Sequence, residues 1–134
     1  MSAPSTSKPL TTFVVDSSVV LMWLHEEDDS QAARALAREE LLAPPLLSLE
    51  VINLAARKWL WREEVLLELL RELERSGVYF EEPPLSGVIH WAALGLTAYD
   101  ASYLALAESH ECQLVTTDAE ILRLAPDVAT ALSA

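Results

Sequence analysis

Short apolar runs alternate along this chain with longer stretches whose apolar residues recur at helical spacing, and that alternation predicts strands and helices in turn. Thr12-Phe13-Val14-Val15-Asp16 is a β-branched, aromatic run closed by a carboxylate and followed by Ser17-Ser18, which reads as a buried strand turning into a helix. Val19 to His25 is apolar enough for a short helix, and Asp29-Ser30 is placed to cap the next, expected over Gln31 to Glu40. Leu41-Leu42-Ala43, stopped by Pro44-Pro45, reads as a second strand. Ser48 is expected to open a helix that runs through Trp61, with Leu49, Ile52, Leu54, Ala55, Ala56, Trp59 and Leu60 as its apolar positions.

The clearest amphipathic pattern spans Arg62 to Ser76. Val65, Leu66, Leu69, Leu70 and Leu73 form one side, Glu63, Glu64, Glu68, Glu72 and Glu74 the other, and Gly77 is placed to terminate the helix. Val78-Tyr79-Phe80 is a strand before Pro83-Pro84, and Ser86 to Leu94 and Ala98 to Ser109 are helices flanking Gly95. Gln113 to Asp118 is a strand that again ends in a carboxylate, Ala119 to Leu124 a short helix, and Val128 to Leu132 a last strand. Strands this short and apolar, without polar alternation, belong to a parallel sheet covered on both faces. The expected fold is α/β, three layers deep.

A length of 134 residues suits one domain: residues 12–134, preceded by a flexible tail at 1–11 rich in Ser, Thr and Pro. About half the residues are apolar (51%), which excludes global disorder. The longest uncharged run, Pro83 to Tyr99, is broken by two Pro and two Gly, so no membrane partner is expected. With Cys112 the only cysteine, no internal disulfide is available, and a cytoplasmic location is the simplest expectation. The formal net charge of −12 argues against passive binding to nucleic acid or an anionic membrane, which reward a basic surface. It leaves room for an enzyme whose carboxylates hold metal ions.

Four carboxylates stand out. Asp16 and Asp118 close parallel strands, at the sheet edge that faces the ligand crevice in open α/β folds. Glu50 and Asp100 lie near helix starts within apolar stretches, where a charge is costly without compensation. Each has an ordinary explanation as a helix cap or a first-turn dipole partner. Jointly they suggest convergence, in which mutual repulsion would raise their pKa values unless a divalent cation relieves it. Oxygen-only donors favour Mg²⁺ or Mn²⁺ over Zn²⁺.

Phe13-Val14-Val15-Asp16-Ser17-Ser18-Val19, Glu50 with Asn53, Tyr99-Asp100-Ala101-Ser102-Tyr103-Leu104-Ala105-Leu106-Ala107, and Leu114-Val115-Thr116-Thr117-Asp118 together resemble a PIN domain. The likeness is to VapC-type toxins of bacterial toxin–antitoxin pairs, and it covers nearly the whole chain. It implies a sheet of about five parallel strands and a Mg²⁺- or Mn²⁺-dependent ribonuclease, with Asp16, Glu50, Asp100 and Asp118 matching the acidic quartet. Thr117 or Ser17 would help orient ligands or a water, and Asn53 would support from behind. The implied partners are an RNA substrate and a cognate antitoxin protein. The Leu- and Trp-rich segment from Glu50 to Ser76 exceeds what one small core absorbs, so a homodimer is also expected.

Other acidic α/β enzymes fit less well. A haloacid-dehalogenase-type phosphatase needs a second Asp where Ser18 stands, and a receiver domain needs a late Lys, whereas the only lysines are Lys8 and Lys58. The alternative from another class is a PIN-like binding or regulatory module with little cleavage. High acidity favours it, since Ser76 to Leu122 contains no Lys or Arg. Arg57, Lys58 and Arg62 are the expected RNA contacts, set against the simpler reading of a solvated helix face paired with nearby Glu. The four Trp and the separated His25, His90 and His110 are expected in core or surface roles.

Overall fold

The computed structural model describes residues 9–24, 31–60 and 62–132, with only the backbone of Lys58 and Trp59. The elements are β1 (Thr12–Val15), α1 (Ser17–Leu24), α2 (Gln31–Leu36), β2 (Glu40–Ala43), α3 (Leu46–Trp59), α4 (Glu63–Arg75), β3 (Tyr79–Phe80), α5 (Leu85–Ala93), α6 (Ala98–Ser109), β4 (Gln113–Thr116), α7 (Ala119–Leu124) and β5 (Ala129–Ala131). The expected caps at Asp29-Ser30, and most of the expected tail, lie outside the described residues. Thr11, counted in that tail, accepts a bond at its carbonyl from Glu40 N–H at 3.0 Å and so prolongs the strand pairing.

The five strands pair in the order β3-β2-β1-β4-β5, all parallel. Right-handed crossovers place the β1-to-β3 connections, and so α1 to α4, on one face. The return from β3 to β4 and the step to β5 put α5, α6 and α7 on the other, so the three-layer expectation holds. Strand order reverses beside β1, between it and β4. The register there pairs Val15 with Val115, which sets Asp16 level with Thr116.

The core is built from the apolar runs read in the sequence. Val14, Val15, Leu114 and Val115 of the central strands are buried, as are Val19, Val20, Leu47, Val51 and Ala55 on the first face. On the second face every residue from Ala101 to Ala107 is buried, because α5 covers the side of α6 turned away from the sheet. Trp91 of α5 is buried and donates its indole N–H to Glu108 Oε1 at 2.6 Å, a structural role. Trp23 packs partly buried against the core, while the Trp59 and Trp61 side chains lie outside the described residues. Cys112 is half-buried against the core, and that burial pushes its thiol pKa up.

Three boundaries differ from expectation for physical reasons. The helix expected to reach Glu40 stops at Leu36, because Glu40 is claimed by the sheet, where it pairs with Thr12 and accepts from the Thr12 hydroxyl at 2.9 Å. Helix α3 opens at Leu46, before Ser48, with Pro45 at its cap in helical conformation and no side-chain cap. The prolines pre-set φ, and the first turn closes on the Pro44 and Pro45 carbonyls. Helix α3 ends at Trp59, with Leu60 left-handed at φ 51° and largely exposed.

Helices α5 and α6 approach closely where Gly87 faces Ala105, and a Cβ on Gly87 would stand 2.9 Å from the Ala105 Cβ. Gly87→Ala is therefore expected to destabilise by about 1–3 kcal/mol despite the better helix former. Gly77→Ala meets no neighbour but places a side chain at φ +82°, at a cost of about 1–2 kcal/mol. Urea unfolding of both variants separates the causes, since only Gly87→Ala is rescued by Ala105→Gly in the double variant.

Candidate active site

Asp16 follows the last residue of β1 and is almost fully buried, at 8% exposure. Its Oδ1 accepts from the Val19 backbone N–H at 3.1 Å and the Ser18 hydroxyl at 2.9 Å, so it does cap α1, as the ordinary reading held. Its Oδ2 accepts a short hydrogen bond from the Thr116 hydroxyl, across the β1–β4 pair. Thr116 is wholly buried at the end of β4, and its hydroxyl also accepts from the Asp118 N–H at 3.0 Å. One hydroxyl thus joins the two strand-end carboxylate positions. Asp118 caps α7, accepting at Oδ1 from Glu120 N–H at 2.9 Å and Ile121 N–H at 3.2 Å.

Glu50 and Asp100 reach the same edge from opposite faces of the sheet. Because α3 begins at Leu46, Glu50 is not a first-turn residue and the dipole explanation for it falls away. It is half-buried, and its Oε1 accepts from the Tyr103 hydroxyl at 2.5 Å. The nearby Ser17 hydroxyl also favours the ionised form of that carboxylate. Asp100 lies in the first turn of α6, where Thr97 caps the helix by accepting from Asp100 N–H at 3.1 Å.

The electrostatics tie the four together. Burial is the main cause that raises the Asp16 carboxyl above its ordinary range, with Asp118 adding repulsion against the Thr116, Val19 and Ser18 hydrogen bonds. Glu50 is raised first by burial, then by Asp100 and Asp16. Asp100 is raised by burial and by Asp118, Asp16 and Glu120. Among the described residues none of the four forms an ion pair with a basic side chain.

Such a cluster suits a hard divalent cation by donor type and charge. Among the described residues, no three His, Cys, Asp or Glu side chains are grouped closely enough to hold an ion by themselves. Each of Asp16, Glu50 and Asp118 is instead turned toward protein donors. Mg²⁺ is commonly bound through one or two carboxylates plus several waters rather than in an all-protein cage, and oxygen donors such as these would suit that mode.

Supporting residues fall differently from expectation. Thr117, expected to orient ligands, pairs its hydroxyl with that of Ser18 at 3.0 Å, and the Asp16 contact comes from Thr116. Asn53 is exposed and makes no hydrogen bond to Glu50 among the described residues. Arg57 is exposed on α3; Arg62, also exposed, pairs with Glu64 at 3.6 Å, as the solvated-face reading holds; the Lys58 side chain lies outside the described residues. Sequence reasoning missed Thr116, Ser18, Thr97 and Tyr103. Thr97 carried a signal, Thr-x-x-Asp before a buried run. His90 stands edge-on to Trp91, and His110 pairs with Glu81 at 2.6 Å, so neither joins the cluster.

A model of the PIN domain matches residues 13–126. The chain belongs to the PIN domain family. As a PIN domain it is 34% identical over 127 residues to Ribonuclease VapC3 of Pyrobaculum aerophilum, covering 87% of this chain and 97% of that protein. It is 37% identical over 112 residues to Ribonuclease VapC9 of Mycobacterium tuberculosis, with 78% and 84% covered. Among solved structures, PAE2754 from Pyrobaculum aerophilum superposes with a TM-score of 0.69 at 30% identity, over 91% of this chain and 90% of that one. VapBC2 from Rickettsia felis, bound to a DNA fragment from its promoter, shares the fold at a TM-score of 0.66 and 12% identity, over 92% of this chain and 100% of that one.

The raised carboxyls make a signed prediction for the metal-free PIN domain. A carboxyl whose folded pKa lies above its unfolded value costs stability once both states are ionised, and that cost is absent below the unfolded pKa. Asp16→Asn removes the charge while its amide still accepts from Val19 and Ser18. In chelator the variant is expected to melt above wild type at pH 7. The margin should shrink as pH falls toward about 4, the unfolded Asp range. Thermal melts across that window check it, and a margin independent of pH would contradict it.

Proposed function

We propose that this PIN domain is a Mg²⁺- or Mn²⁺-dependent endoribonuclease, the toxin of a toxin–antitoxin pair. What supports the reading is that Asp16, Glu50, Asp100 and Asp118 lie within electrostatic reach of one another beside the point where strand order reverses, with Asp16, Glu50 and Asp100 held above their ordinary pKa. The ribonuclease names of its VapC relatives supply the substrate class.

Asp16, Asp100 and Asp118 would hold the cation directly or through water, with Glu50 beside them. A bound Mg²⁺ or Mn²⁺ supplies charge neutralisation at the phosphodiester and acidifies a water for in-line attack. The chain's own residues do the rest. Asp16 is locked by three donors, so the most buried carboxylate keeps one orientation. Glu50, with a raised pKa, is suited to take the proton of the attacking water. The leaving 3′ oxygen would take its proton from water, and a bound cation would offset the charge that develops on it. Arg57, Lys58 and Arg62 would meet the RNA backbone, while the Lys- and Arg-free span from Ser76 to Leu122 makes binding weak and metal-dependent.

Large apolar side chains left in solvent support protein partners. Leu49 and Leu60 are 67% and 82% exposed on or beside α3, and Leu67 of α4 is also exposed. An antitoxin protein and a second copy of the chain are the proposed occupants of such surfaces. Among the described residues no helix is long and apolar enough to cross a membrane, and we place the activity in the cytoplasm with its RNA.

The test is cleavage of a mixed RNA pool by purified protein. Mg²⁺ or Mn²⁺ should support cleavage, EDTA should abolish it, and Asp16→Asn should lower the rate at least about a hundredfold without loss of melting temperature. Expression of the wild type alone should slow growth, and co-expression of the adjacent reading frame should relieve it. A wild type that neither cuts RNA nor slows growth would replace this reading with a binding or regulatory PIN module.

A further inference from the structure

The hydroxyl of Tyr103 is the one polar atom of a side chain otherwise enclosed in the core at 2% exposure. Its neighbours along α6, Leu104 to Ala107, are all buried and apolar. A phenylalanine would fill the same volume, and a buried hydroxyl costs free energy unless it is bonded. Its bond goes to Glu50 Oε1, at 2.5 Å, 53 residues away in sequence and on the opposite face of the sheet. Tyr103 also follows Asp100 by three positions on α6, which puts both on nearly one side of that helix. The helix that presents one carboxylate of the cluster therefore also grips another.

We propose that Tyr103 is a positioning residue, whose hydroxyl fixes the Glu50 carboxylate of α3 in register with Asp100 of α6 so that the cluster can bind its cation and act on the water. The inference rests on the ribonuclease reading above. Glu50 is a long side chain on the third rotatable bond of which its carboxylate turns freely; a charge-assisted bond from a rigid aromatic donor removes that freedom.

Tyr103→Phe deletes only the hydroxyl oxygen. It is expected to lower kcat by about 10–100-fold and to weaken Mn²⁺ binding about tenfold, the latter read by electron paramagnetic resonance of free Mn²⁺ without RNA. KM for a short fluorogenic oligoribonucleotide should stay within about twofold, since RNA contacts are untouched. Introduced into Glu50→Gln, the same change should cost less than about twofold further, because there is no carboxylate left to aim. Equal losses in both backgrounds would assign Tyr103 to folding alone and overturn the proposal, as would wild-type Mn²⁺ affinity and turnover in Tyr103→Phe. A wild type that cleaves and binds Mn²⁺ beside an unaffected Tyr103→Phe sinks only this inference. A wild type inert in both assays sinks the ribonuclease reading, and this inference with it.

Discussion

Like charge gathered at a partly buried edge is the constraint around which this molecule is arranged. Burial raises the proton affinity of Asp16, Glu50 and Asp100, and repulsion from neighbouring carboxylates adds to it. Left unsupported, such a cluster would splay or protonate. Here Asp16, Glu50 and Asp118 are held by neutral donors: backbone N–H groups at helix starts, the Ser18 and Thr116 hydroxyls, and the Tyr103 phenol. Neutral donors favour the ionised form without cancelling its charge. An anionic edge of this kind is what the proposed divalent cation would require.

The rest of the fold carries the repulsion. Central strands with apolar residues on both faces, and an α6 buried along seven consecutive residues, provide the burial that offsets it. The close approach of α5 at Gly87 seals α6 from water, and α6 in turn presents Asp100 and Tyr103. Parallel topology does the remaining work: a sheet whose order reverses beside β1 leaves a crevice between the β1 and β4 ends, so Asp16 and Asp118 arrive there by backbone geometry.

Much of this was legible in the sequence, and the exceptions share a cause. Helices Ala98–Ser109 and Ala119–Leu124 were read to the residue, because their caps and periodicity are local. The helix expected through Glu40 stops early since strand pairing with Thr12, a non-local contact, outweighs the helix propensity of Ala37-Arg38-Glu39. Ser48 looked like a cap, but the pair Pro44-Pro45, ending three residues earlier, starts the turn without one. Of two adjacent threonines, the one that meets Asp16 is Thr116, not Thr117, because alternation along β4 and the β1–β4 register decide which side chain faces Asp16.

The sequence by itself determined the alternating elements, the parallel-sheet class and the four carboxylates, since each is written in composition and short-range spacing. It also determined the net charge of −12, of which those four are a part. Only the tertiary structure decided what holds each carboxylate. Tyr103 and Glu50 are 53 positions apart, and Thr116 and Asp16 are 100 apart. Hydrogen bonds act over about 3 Å. Which donor meets which acceptor is therefore settled by strand register and helix packing, quantities that no local pattern encodes.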